Sequence, residues 1–196
     1  MYLTKIEILK LYEDNKLIIR PLLSEEQFGQ VSLDLRLGTD FLVSIQGREP
    51  FIDITGNPES RPISSFFQET KRLVGETFYL HPQQTVLCST LEYIKLPEDI
   101  FLTLSMRSSY SRLGLSISSI VQPGYCGCLS LELTNSNNNP IKLLVGATIL
   151  QARFFKLDTN TDYHNMARKY TCQVRPMPSK GDNDKEFEKL KNLFSI

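Results

Sequence analysis

The chain has no tryptophan, two histidines and four cysteines in 196 residues. Four thiols at uneven spacing, Cys88, Cys126, Cys128 and Cys172, are not the framework of a small disulfide-rich secreted domain, so reduced cytosolic thiols are the expectation. His81 and His164 have no second ligand at useful spacing, and Cys126 and Cys128 stand only as C-x-C. The H-x-E and P-C-x-x-C pattern of a catalytic zinc site is missing, as are a Walker A sequence and a G-x-G-x-x-G fingerprint. Zinc, P-loop and Rossmann chemistry are set aside on those grounds. An excess of either charge is also lacking: 22 Lys and Arg balance 22 Asp and Glu. No overall field recruits DNA, RNA or an anionic membrane, and any anion site must be local. No apolar run approaches the roughly 18 residues of a membrane span, and Lys5, Glu7 and Lys10 interrupt the N-terminal apolar residues. A soluble cytoplasmic protein is expected.

What is present suits one domain able to bury a core. Thr4 with Glu7 three residues later forms a capping box, flanked by Leu3 and Ile8 as a hydrophobic staple, which predicts a short helix over 4–14. Val31, Leu33, Leu35 and Leu37 then alternate with polar residues at the period of a half-buried strand. Further strands are expected at 41–45, 77–79, 85–89, 93–95, 101–105, 115–121, 129–135, 141–143 and 148–156. So many short strands predict a mainly β fold, a barrel or jelly-roll-like pair of sheets. Residues 56–74 read as an irregular insertion, and KEFEKLKNLF near the end as a C-terminal helix after the polar linker PSKGDND. The expected division is a domain over 1–178 and a linker with helix over 179–196.

Three groups could carry chemistry. Arg107, Ser108, Ser109, Ser111 and Arg112 place two guanidiniums and three hydroxyls together; in a helical turn Ser108 and Arg112 share a face, beside free N–H groups that favour an anion such as triphosphate. An ordinary solvated turn has the same composition. In LSLELTN, Leu129, Leu131 and Leu133 face one way while Ser130, Glu132 and Thr134 face the other. Glu132 is thus either a solvent-facing strand residue or a carboxylate in a cleft, able to serve as a general base. Tyr163, Lys169, Tyr170 and Gln173 cluster after the last strand, either as an exposed tail or as a flap over a nucleotide.

In order, IRPLLSEEQFGQVSLDLRLGTDF, FYLHPQQTVLCSTLEYIKLPEDI, MRSSYSRLGL and PGYCGCLSLELTNSNNNPIKLLVGATILQARF resemble the dCTP deaminase family, which belongs with the dUTPases. The resemblance runs over about residues 1–175, and its RSS-x-x-RLGL and PG-x-x-G-x-x-x-LE elements are specific. It implies a dUTPase-like distorted β-barrel or jelly-roll (β-clip), homotrimers with sites between subunits, and dCTP or dUTP as ligands, with dTTP as a candidate inhibitor. It implies zinc-free deamination of dCTP to dUTP and ammonia, with Mg²⁺ accompanying the triphosphate. Glu132 matches the general base that activates water against C4 of cytosine, and Ser108 and Arg112 its catalytic partners. Arg107, Ser109, Gln122, Leu131, Tyr163, Lys169 and Gln173 match substrate-binding positions, with Lys169 on phosphate and Gln173 near the base. Two departures stand out: SISSIVQ, between Leu115 and Pro123, is shorter than the family's stretch, and VQPG replaces I-D-P-G, so Gln122 stands where an aspartate contacts the deoxyribose.

Three readings follow: a dCTP deaminase, a dUTP diphosphatase or bifunctional enzyme, and a nucleotide-binding regulator without turnover. The products separate the first two, and the consequence of Glu132→Gln separates the third.

Overall fold

The capping box forms as the spacing predicts. Helix α1 spans Lys5–Glu13, and Glu7 Oε2 accepts from both the backbone N–H and the hydroxyl of Thr4 at 2.8 Å. Leu3 and Ile8 are both buried. The computed structural model describes residues 1–45, 51–57, 59–117, 119–161, 169–183 and 193. The expected C-terminal helix lies almost wholly outside the described residues.

Eleven described strands follow: β1 (Ile18–Arg20), β2 (Leu33–Ser44), β3 (Phe67–Lys71), β4 (Thr77–Leu80), β5 (Thr85–Lys95), β6 (Ile100–Met106), β7 (Leu115–Ser116), β8 (Ser119–Val121), β9 (Cys126–Asn135), β10 (Ile141–Leu144) and β11 (Thr148–Lys156). Nine form one sheet whose main path runs β7-β9-β5-β2-β11-β6-β8, with β1 on β5 and β3 on β2; β10 and β4 pair separately. The mainly β expectation is met. The inward residues of β2, Leu33, Leu35 and Leu37, are wholly buried, as are Val86, Leu133 and Phe154 from neighbouring strands. Burying a side chain of this kind is worth about 2 kcal/mol, which makes this face the main driving force. Among the described residues no helix is long and apolar enough to cross a membrane.

The structure redraws several boundaries. The expected strands at 31–38 and 41–45 are one continuous strand, β2, and those at 85–89 and 93–95 are one strand, β5. Register shifts occur between Leu37 and Phe41 and between Ser89 and Tyr93, because an irregularity interrupts the pleat without ending the strand. Gly38 sits at this point; a Cβ there would lie 2.6 Å from the Ser89 carbonyl oxygen, so only glycine admits the approach. The expected strand at 115–121 is split: β7 pairs with β9 while β8 pairs with β6. One short segment therefore bridges the two ends of the curled sheet. Residues 56–74 are more regular than expected, with a 3-10 turn at Ile63–Phe66 and β3 along the edge of β2.

Glu92 sits in the second irregularity with 0% exposure. Its carboxylate accepts from Arg36 N at 2.9 Å, Arg36 Nη1 at 3.0 Å and Gln27 Nε2 at 3.4 Å. Burial pushes its pKa up, and the bonds from Arg36 pull it back. Removing one partner of a buried pair strands the other. Glu92→Ala is therefore expected to lower unfolding stability by about 2 kcal/mol, read as a lower midpoint in urea denaturation.

Candidate functional site

Two clefts collect the polar residues singled out above. On β9 the alternation holds: Leu129, Leu131 and Leu133 are at most 1% exposed, while Ser130 and Glu132 face a pocket of about 390 Å³. Leu87, opposite Glu132 on β5, supplies an apolar wall, with Val121 and Leu129 beside it. A pocket of this size with few polar groups suits a small organic ligand. Glu132 is the one carboxylate among the described residues that line it. Its side chain has no hydrogen-bond or ion-pair partner among the described residues. Solvent reaches the carboxylate from the open side, but the surrounding protein withdraws enough water to push its pKa above the ordinary glutamate range, against a smaller lowering by its own backbone N–H.

Gln173 closes one wall. It is 6% exposed; its Oε1 accepts from Ser130 Oγ at 2.6 Å and its carbonyl from Cys128 N at 2.7 Å. Its Nε2 is buried with no acceptor among the described residues, an arrangement that costs free energy unless a ligand supplies one. Gly127 permits this closeness: at φ +145°, a Cβ there would overlap the Gln173 carbonyl and the Tyr125 hydroxyl. Gln122 is exposed at the pocket rim.

Cys126 and Cys172 are disulfide-paired across 46 positions, leaving Cys88 and Cys128 free. This corrects the expectation of four reduced thiols. The pairing arises because the chain after β11 returns over the start of β9, a long-range contact that spacing does not reveal.

The second cleft, about 600 Å³ and wide open, lies at the single-turn helix α2 (Ser108–Ser111), with Arg107 at its N-cap position and Arg112 at its C-cap. Arg107, Ser108, Ser111 and Arg112 line it together with Gln151 and Arg153 from β11. Arg107 Nε lies 3.3 Å from Asp34 Oδ2, and Arg107 Nη1 donates to the Thr148 carbonyl at 3.2 Å. Arg153 is held by bonds from Nη2 to Gln151 Oε1 at 2.7 Å and from Nη1 to Ser105 Oγ at 3.3 Å. The Arg112 guanidinium is exposed and unpartnered among the described residues. Three planar forks and two hydroxyls around one hollow suit a polyanion of phosphate type.

Gln151 and Arg153 escaped the sequence reading, although the alternation in QARF puts both on the face opposite buried Ala152 and Phe154. Arg153→Met is expected to weaken binding of inorganic tripolyphosphate about tenfold, measured by calorimetry at fixed salt.

The remaining expected positions divide. Gln122, Glu132 and Gln173 share the first pocket, and Arg107, Ser108 and Arg112 share the second cleft. Ser109 is exposed on α2 and lines neither. The Leu131 side chain is in the core opposite Cys88, so only its backbone is free to meet a ligand. The Lys169 carbonyl accepts from Lys180 Nζ at 2.7 Å. Tyr163 lies outside the described residues. No hydrogen bond or ion pair joins Glu132 to Ser108 or Arg112 within the chain.

A family model described as dCTP deaminase-like matches residues 2–157. A dCTP deaminase, dUMP-forming, of Dictyoglomus turgidum is 38% identical over 189 residues, covering 92% of this chain and 94% of its own. A dCTP deaminase of Haloarcula marismortui is 34% identical over 95% of this chain and 98% of its own. Among solved structures, the 2'-deoxycytidine 5'-triphosphate deaminase of Agrobacterium tumefaciens superposes with a TM-score of 0.59 at 25% identity, over 78% of this chain and 47% of that one.

Proposed function

This chain belongs to the dCTP deaminase-like family, and on that premise we propose that it hydrolyses dCTP to dUTP and ammonia, with Glu132 as general base. The observation that carries the reading is Glu132 itself: the one carboxylate among the described residues lining an otherwise uncharged pocket, its pKa raised by burial. A base so placed is better matched to proton transfer near neutral pH than a solvated glutamate.

The cytosine ring packs against Leu87. Gln173 Nε2 supplies a donor to a ring acceptor and so gains the partner it lacks. Glu132 takes a proton from a water that attacks C4 and passes it to N3; the proton of the added hydroxyl then passes to the exocyclic amine, the C4–N bond breaks, the C4 carbonyl forms and ammonia leaves. One water is consumed for each dUTP formed. Gln122 meets the sugar at the rim and Leu131 contributes through its backbone. Arg107, Ser109, Lys169 and Tyr163 are assigned to the phosphates and the closing segment.

Ser108 and Arg112 serve from another copy of the chain. The separation of the two clefts within one chain supports a site shared between chains, as in the homotrimers that the family resemblance implies. An Arg112 guanidinium brought beside Glu132 offsets only part of the burial penalty, so the base ionises for catalysis while its pKa stays above the ordinary glutamate range. Mg²⁺ would accompany the triphosphate, since this ion readily keeps several waters and phosphate oxygens as ligands.

A second reading, further hydrolysis to dUMP and pyrophosphate, is favoured by the dUMP-forming relatives. Against it stands the pocket, which shows Glu132 but no second carboxylate among its described lining residues. Incubation with each deoxynucleoside triphosphate and chromatography of the products decides. Consumption of dCTP with dUTP accumulating supports the deaminase; dUMP with pyrophosphate supports the second reading; no conversion of any substrate overturns both.

A further inference from the structure

Gln173 and Met177 of the stretch from Cys172 to Met177 line the pocket, and Gln173 and Pro176 are buried. Among the described residues its polar ties are the Cys128–Gln173 backbone bond of 2.7 Å, the Ser130–Gln173 side-chain bond of 2.6 Å, and an ion pair from the largely exposed Arg175 to Asp40 at 3.6 Å. The remaining tie is covalent. Cys172 is bonded to Cys126, with Cα atoms 4.9 Å apart, directly before Gln173 and directly beside Gly127, where the two backbones touch. The two cysteines differ in access: Cys172 is exposed, whereas Cys126 is 8% exposed at the start of β9.

We propose that Cys126 and Cys172 are a reversible thiol–disulfide modification site whose oxidation pins Gln173 onto the wall of the Glu132 pocket, so that nucleotide affinity follows the thiol redox state. The co-reactant is a low-molecular-weight disulfide of the glutathione type. The accessible Cys172 thiolate attacks it, forming a mixed disulfide and releasing one small thiol. The Cys126 thiolate then displaces the second small thiol, and the protein disulfide forms. Two protein thiols are oxidised by two electrons and one small disulfide is reduced to two thiols. Excess small thiol reverses the exchange. The link keeps the Gln173 segment at high effective concentration beside β9, and its loss leaves the segment to the weak contacts above.

The affinity readout rests on the proposed function; the structural readout does not. The full chain is treated with oxidised glutathione or reduced with dithiothreitol, and its thiols are counted after denaturation. Four are expected in the reduced form and two, Cys88 and Cys128, in the oxidised form. Reduction is expected to speed hydrogen exchange of the Cys128 amide about tenfold and to weaken dCTP binding about tenfold. Cys172→Ser behaves as the reduced form under both treatments, and Cys128→Ser still switches. Four thiols after oxidation, or equal Cys128 exchange in both forms, overturns the proposal. Absence of dCTP binding in both forms overturns the proposed function instead, while the thiol count and amide exchange still decide this one.

Discussion

Replacing Glu132 by Gln lowers the rate of dCTP deamination by about a thousandfold, with dCTP affinity kept within about threefold. Glutamine preserves the shape of the side chain but cannot take a proton from water. Because Glu132 has no protein partner among the described residues, the change strands no neighbouring charge. Rapid-quench turnover beside calorimetric titration separates the two effects. The pH dependence has a defined sign. The base works only when ionised, so kcat/KM falls as pH drops through the pKa of Glu132. Burial raises that pKa, so the fall begins at a higher pH than for a solvated glutamate. For stability, the penalty of an ionised Glu132 is absent below its unfolded-state pKa and fully present above its folded-state pKa. Glu132→Gln is accordingly expected to unfold at pH 7 no earlier than the wild type, which thermal denaturation checks.

Arg112→Ala is expected to have the second largest effect, a loss of about a hundredfold in kcat/KM for dCTP, because the guanidinium brought beside Glu132 from another copy is removed. Arg107 and Arg153 are tied to Asp34, Thr148, Gln151 and Ser105, whereas Arg112 is unpartnered and exposed, ready for a ligand. Since Glu132 and Arg112 line separate clefts of one chain, the two variants also report on the assembly. Mixing the impaired Glu132→Gln and Arg112→Ala proteins after reversible dissociation is expected to raise activity above that of either alone if each site draws on two chains. Recovery of none shows instead that one chain supplies both groups.

Local features were the most legible. The capping box at Thr4 and the alternation along LSLELTN depend on near neighbours, and both formed as read, including the outward placement of Ser130 and Glu132. What failed needed partners distant in sequence. The period of residues 115–121 is that of a strand, but nothing in it reveals that its two ends serve different neighbours. The irregularity between Ser89 and Tyr93 made one strand look like two, because the pattern there is interrupted by buried Glu92, whose partners Arg36 and Gln27 are distant in sequence. The Cys126–Cys172 pair was hidden by its separation of 46 residues. Family resemblance marked Arg107, Ser108 and Arg112 as site residues, but Arg153 joins them only through the pairing of β11 with β6.

Deamination itself is the central claim, and ammonia tests it most directly. Wild-type protein given dCTP and Mg²⁺ is expected to release one ammonia per dCTP consumed, with none above background from Glu132→Gln. Saturable binding of dCTP without ammonia release by the wild type, over a pH range that includes the ionised form of Glu132, would contradict it and leave a nucleotide-binding protein without this chemistry.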